Sequence, residues 1–169
     1  YAEWTIRLAP RLAEIGFDAF WAFDDVAFNN GPMFSPAFYR DIILPIQQRA
    51  AAALELPLIT HSDGDMTPVL EDWLRLGQAA IHPLQPDVMD INAVKAQYGD
   101  RLCLVGNIFM DDLVHQQPED IREQVRDRIA RIGAGGGYII SSSNSLTADM
   151  QDENVRAMAG AIAEFGPYR

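Results

Sequence analysis

Apolar positions along this chain keep two alternating rhythms. Residues 3 to 15 (EWTIRLAPRLAEI) space their apolar side chains at helical intervals, with Pro10 expected to kink the helix and Gly16 to stop it. Residues 19 to 23 (AFWAF) form a short unbroken apolar run, which predicts a buried strand that Asp24 and Asp25 end. A second helix is predicted from Ser35-Pro36, where a hydroxyl can cap free N–H groups and proline suits the first turn. It runs to about Leu54, with a kink expected at Pro45. Residues 56 to 60 (LPLIT) predict the next strand, ending at His61-Ser62-Asp63-Gly64-Asp65. Thr67-Pro68 opens another helix by the same capping logic, and Gly77 closes it.

The second half repeats the pattern. Residues 79 to 82 predict a strand, Asp90 caps a helix reaching Tyr98, and residues 102 to 105 predict a strand ending at Gly106-Asn107. Gln117-Pro118-Glu119 opens a helix reaching Ile132. A strand at 138 to 140 ends in Ser141-Ser142-Ser143-Asn144, and Asp152 is expected to cap a last helix ending near Phe165-Gly166. Five apolar strands at intervals of about 22 to 38 residues, each followed by a helix, predict an α/β fold with a parallel sheet buried on both faces. The pattern fits an open doubly wound sheet or all or part of a (β/α)₈ barrel. No glycine-rich phosphate turn follows any strand, as a doubly wound nucleotide site would require; Gly135-Gly136-Gly137 precedes its strand and reads as a turn.

Composition narrows the functions. The chain of 169 residues is 49% hydrophobic, which suits one globular domain, 1–169, with a real core. Its formal net charge of −11, with basic residues scattered, argues against nucleic-acid binding. No apolar stretch reaches the ~20 residues of a membrane helix. A single cysteine, Cys103, sits in an apolar run as a packing residue and points to a cytoplasmic protein.

The polar residues that carry chemistry follow the strands: Asp24 and Asp25, His61 and Asp63, His82 and Gln85, Asn107, and Ser141 to Asn144. In a βα barrel all these loops converge on one mouth. His61-x-Asp63 places an imidazole and a carboxylate where they can share a proton or ligate a metal, with Asp24 a possible third group. Adjacent side chains at a strand end point to opposite sides, so only one of Asp24 and Asp25 is expected to face the mouth. His115 reads as a solvated residue ahead of a helix.

These residues also resemble a known family. Phe23-Asp24-Asp25, Ser35-Pro36-Ala37-Phe38-Tyr39-Arg40, Leu44-Pro45, His61-Ser62-Asp63-Gly64, Tyr98-Gly99-Asp100, Val105-Gly106-Asn107 and Glu153-Asn154-Val155 are similar, in order and spacing, to the uroporphyrinogen decarboxylase superfamily. The resemblance implies a (β/α)₈ barrel, of which this chain supplies the later strands, roughly the fourth to the eighth. The missing units are then expected from a longer chain or from a homo-oligomer.

The superfamily includes the haem-pathway decarboxylase, which needs no cofactor, and corrinoid-linked methyltransferases, which use zinc. The decarboxylase pattern has a histidine where this chain has Asn144, and serine where it has Asp25. The methyltransferase pattern of His-x-Cys plus a later Cys matches His61, with Asp63 and Asn144 at the Cys positions.

The expectation is therefore a methyltransferase-like enzyme, with true decarboxylation as the alternative and a non-catalytic half-barrel as a third reading. His61, Asp63 and Asp24 are the expected catalytic residues, with His61 and Asp63 holding a divalent metal such as zinc. Asp25, Gln85, Asn107, Ser142 and Asn144 are expected to contact a small-molecule substrate. A corrinoid methyl donor, carried on a corrinoid protein, is the expected partner.

Overall fold

The first helix, α1 (Ala2–Ile15), carries Pro10 inside it and ends at Gly16, whose φ of 94° is the left-handed conformation that glycine adopts without penalty. In this computed structural model, which describes residues 1–167, the chain divides into two units, Tyr1–Ile81 and His82–Arg169. The five predicted strands all form, separated by helices, and the chain is α/β as the alternation predicts.

In the N-terminal unit, β1 (Phe20–Phe23) pairs in parallel with β4 (Leu58–His61), Phe20 opposite Leu58 and Phe23 opposite His61. A small antiparallel hairpin, β2 (Ala27–Phe28) and β3 (Gly31–Pro32), lies between them in sequence. It turns on Asn29-Asn30 with glycine next, a turn signal that sequence reading passed over. The buried strand expected at 19 to 23 is a correction. The strand alternates half-buried and exposed residues, with Trp21 40% and Phe23 69% exposed. Phe20 and Ala22 turn instead toward a cavity walled by α1 and by α3 (Leu44–Ala51).

The helix expected from residue 36 to 54 is broken. A single turn, α2 (Pro36–Phe38), is capped by the Ser35 hydroxyl, which accepts from the Phe38 N–H at 3.2 Å. Residues Tyr39–Ile43 then widen into a π turn before α3 begins. The cause is Pro45, which has no N–H to return to the preceding turn, so the chain widens there rather than simply bending.

The helix after β4 also departs from expectation. It is a 3₁₀ turn (Thr67–Val69), a short α4 (Leu70–Trp73) and a second 3₁₀ turn (Leu74–Leu76), closed by Gly77 at φ 75°. Thr67 is not its cap; the Asp65 carboxylate accepts from the Thr67 N–H at 3.0 Å instead. Tyr39, Leu44, Met66, Val69 and Trp73 are the core of this unit.

β5 (Ala80–His82) is fully buried and leads into the C-terminal unit. There α5 (Ile91–Tyr98) is capped as expected by Asp90, which accepts from the Asn92 N–H at 2.8 Å. β6 (Cys103–Val105) pairs in parallel with β7 (Tyr138–Ile139). Cys103 is half-buried, and burial pushes its thiol pKa up.

A helix missed by sequence reading, α6 (Met110–His115), precedes α7 (Pro118–Arg131), which starts with a reciprocal Gln117–Asp120 capping box. His115 is exposed, as expected. Before β7 the chain turns on Gly135, Gly136 and Gly137, all with positive φ. The last helix, α8 (Asp152–Phe165), starts after Gln151; Asp152 sits in its first turn, where a carboxylate suits the helix dipole, and is not the cap. Ile108, Leu113, Ile121, Val125, Met150, Met158 and Ala161 form one buried cluster between α6, α7 and α8.

Candidate functional site

Two loops of the N-terminal unit, residues 24 to 26 and 61 to 65, are stitched together by short hydrogen bonds. The Val26 N–H donates to the Ser62 hydroxyl oxygen at 3.0 Å, and that hydroxyl donates to the Asp63 carbonyl at 2.9 Å. The Asp63 N–H donates to Asp25 Oδ1 at 3.0 Å. Further along, the Asp65 N–H donates to the Phe28 carbonyl at 3.0 Å. Gly64 makes this approach possible. Its φ is 86°, and a Cβ there would lie 2.7 Å from the Ala27 carbonyl carbon and the Phe28 oxygen.

The stitching gathers three chemical groups. His61 Nε2 lies 3.6 Å from Asp25 Oδ1 and 3.5 Å from Asp63 Oδ2. One ligand atom from each of Asp25, His61 and Asp63 falls within 4.8 Å of the others, the one such group of three among the described residues. His61 is buried, Asp63 half-buried and Asp25 exposed, so the cluster opens to solvent on its carboxylate side. The Phe23 ring lies 5.1 Å from the His61 ring, tilted by 42°, and limits how the imidazole can turn.

Adjacent strand-end carboxylates do diverge. Asp25 joins His61, while Asp24 turns away and its Oδ2 accepts from Gln47 Nε2 at 2.8 Å. Gln47 Oε1 in turn accepts from the Tyr39 hydroxyl at 2.8 Å. Sequence reading singled out neither Gln47 nor Tyr39 for the site, nor Ser62 or Gly64 as its frame. The glycine flanked by two aspartates was the available signal.

The remaining predicted residues lie in the C-terminal unit. Asn107 is 1% exposed, and its Nδ2 donates to the Leu84 carbonyl at 2.8 Å. Its Oδ1 is also buried and, among the described residues, has no hydrogen-bond partner. Gly106 before it must be glycine, because a Cβ would lie 2.5 Å from the Pro83 carbonyl oxygen. Gln85 Nε2 donates to Asp87 Oδ1 at 2.8 Å. The Ser142 hydroxyl donates to the Asn144 carbonyl at 2.7 Å, and Asn144 Oδ1 accepts from the Ser145 N–H at 2.7 Å. His82 Nε2 lies 3.4 Å from the Ser142 carbonyl.

Comparison with known proteins decides the family. The family model described as uroporphyrinogen decarboxylase (URO-D) matches residues 1–165. The chain belongs to the uroporphyrinogen decarboxylase family. Among curated relatives, the uroporphyrinogen decarboxylase of Methylococcus capsulatus is 37% identical over 78 residues, 46% of this chain and 22% of that protein. That of Psychromonas ingrahamii is 28% identical over 148 residues, 82% of this chain and 40% of that protein. The chain therefore spans well under half the length of these relatives.

Among solved structures, a methyltransferase from Methanosarcina mazei is 22% identical with a TM-score of 0.79, covering 98% of this chain and 48% of that one. A dihydropteroate synthase from Xanthomonas albilineans is 19% identical with a TM-score of 0.64. These likenesses show the fold, part of a parallel βα barrel. Among the described residues no helix is long and apolar enough to cross a membrane.

Proposed function

We propose that the chain carries the metal-binding part of a uroporphyrinogen decarboxylase-family enzyme that works as a corrinoid-linked methyltransferase rather than as a decarboxylase. The observation that carries this reading is the convergence of Asp25, His61 and Asp63 within 4.8 Å. One imidazole and two carboxylates suit a divalent cation such as zinc or manganese, and their spacing needs only small shifts to converge on one ion. Such an ion would lower the pKa of a coordinated thiol or water.

The chain's own groups prepare the site. Ser62 holds the 61–63 turn against Val26. The Asp63 N–H orients Asp25, and Phe23 limits rotation of His61. With Asp24 held by Gln47, this reading assigns the carboxylate role beside His61 to Asp25. Gln85, Asn107, Ser142 and Asn144 are the proposed substrate contacts, and a corrinoid protein the proposed methyl donor.

Calorimetric titration with zinc and manganese tests the reading. One ion per chain is expected, with His61→Ala weakening affinity at least tenfold and Asp24→Asn leaving it within about twofold. Absence of saturable binding would sink it. The second reading, decarboxylation without a cofactor, is favoured by the names of the curated relatives. Conversion of uroporphyrinogen to coproporphyrinogen by the full-length protein, unaffected by chelator, would establish that reading instead.

A further inference from the structure

Asp24 stands outside the histidine cluster, and its surroundings form a site of their own. Tyr39 is fully buried, and burial together with the Asp24 and Asp72 charges pushes its pKa far above the usual tyrosine range. Its hydroxyl therefore stays protonated and donates to Gln47 Oε1. That fixes which way the Gln47 amide faces, so Nε2 donates to Asp24 Oδ2. The chain of donors runs one way, from buried Tyr39 through Gln47 to Asp24. It pins the carboxylate by Oδ2.

This carboxylate lies at the edge of a cavity of about 170 Å³. Phe20, Ala22, Ile46, Ala50, Leu54 and Leu58 supply apolar wall, and Asp24, Gln47 and His61 are among the few polar groups. Among the described residues no lysine or arginine lines it. Asp24 is itself exposed, so its positioned charge stands at the open mouth of the slot. An ammonium group entering the slot would be attracted by that charge, and an anion repelled. In size the cavity is close to an apolar cavity of ~150 Å³ that accepts benzene.

We propose that this cavity binds a small organic cation, a protonated amine on an apolar body of about one ring. The ammonium donates to Asp24 Oδ1 in a charge-assisted hydrogen bond, and the ring takes the place of water against the aliphatic wall. His61 lines this cavity as well as the metal cluster, but the proposal turns on Asp24, which takes no part in the metal reading, and no metal is needed to fill the slot.

The test is titration of the metal-free chain with benzylamine, benzyl alcohol and benzoate, following the amide resonances of Thr5, Gln47 and Thr60. At neutral pH, benzylamine is expected to bind at least tenfold tighter than benzyl alcohol, and benzoate weaker than both. Asp24→Asn should bring amine and alcohol within about twofold of each other. Gln47→Leu should reduce the preference for the amine by releasing Asp24. Ala50→Leu, which fills the slot, should weaken both the amine and the alcohol at least tenfold. Equal affinity for amine and alcohol in the unaltered chain overturns the proposal, as does absence of saturable shifts with any probe. Survival of the full amine preference in Asp24→Asn also overturns it. If Asp24→Asn does not fold, the three-probe comparison on the unaltered chain and Ala50→Leu still decide.

Discussion

The two units treat their apolar surface differently. In the C-terminal unit, Ile108, Leu113, Ile121 and Val125 are completely buried with Ala161, and only Ile139 and Leu146 are exposed large apolar residues among those described. The N-terminal unit exposes Trp4, Ile15, Phe17, Trp21, Phe23, Phe28 and Phe38, among others. It also holds the His61 cluster and the Asp24 cavity. One unit uses its apolar side chains for cohesion. The other leaves many of them uncovered, beside the residues with chemistry. The exposed apolar residues and the His61 cluster thus fall in the same unit, and substitutions should separate cohesion from metal binding.

The largest expected effect is in the C-terminal cluster. Ile121→Ala should cost about 3 kcal/mol, since it deletes methylene groups with no solvent to replace them and a tight cluster to leave hollow. Equilibrium denaturation measures it. A loss below ~1 kcal/mol would mean that the cluster is not the cohesive part of the molecule. Next is Gly64→Ala, expected to cost about 2 kcal/mol from a left-handed backbone and overlap with Ala27 and Phe28. Its diagnostic feature is coupling. It should also weaken metal affinity, because residues 61 to 65 must move, whereas Ile121→Ala should leave metal affinity unchanged.

How much of this was legible in the sequence depends on how local each cause is. Gly16, Gly77, Ser35 and Asp90 act through their own backbone or the next turn, and all four sit where reading places them. Thr67 and Asp152 obey the same capping rule on paper, but Asp65 takes the Thr67 N–H, and α8 starts one residue early, after Gln151, whose side chain makes no cap hydrogen bond. The apolar run at β1 looked buried because an apolar strand reads alike whether or not something covers its second face.

The site shows the same limit. His61 and Asp63 were legible from their spacing at a strand end. Alternation along the strand said that Asp24 and Asp25 diverge, but which of them meets His61 depends on contacts with residues 61 to 63, distant in sequence. Gln47 and Tyr39 were illegible because their roles depend on how α3 and the π turn lie against β1.

A smaller effect separates charge from cohesion within the N-terminal unit. Asp72 accepts from Arg40 at 2.9 Å and from Arg75 at 3.1 Å, and the Arg40 hydrogen bond leads in holding its carboxyl below the usual aspartate range. A depressed carboxyl contributes stability above its unfolded pKa and loses it as pH falls through the folded value. Asp72→Asn should therefore cost about 0.5 kcal/mol near pH 7, with the difference from the unaltered chain shrinking as pH falls from ~4 downward. Denaturation midpoints at pH 7 and in that acid range check both the size and the sign.

The smallest stability effect is expected where the apolar surface is most exposed. Phe23 stacks on Trp21 at 5.6 Å and lies against His61, yet it keeps 69% of its surface in solvent. The N-terminal unit gains little from burying it, so Phe23→Ser should change stability by no more than ~0.5 kcal/mol. If the aromatic pair exists to be covered by further polypeptide, the same substitution should reduce self-association and raise solubility of this chain on its own. If instead Phe23 serves mainly to hold the imidazole, solubility stays constant while metal affinity falls severalfold as His61 gains rotational freedom. Measuring sedimentation and metal titration on one variant separates covering from holding. A loss of more than ~2 kcal/mol would contradict both, because it would place Phe23 in the core and erase the contrast between the two units.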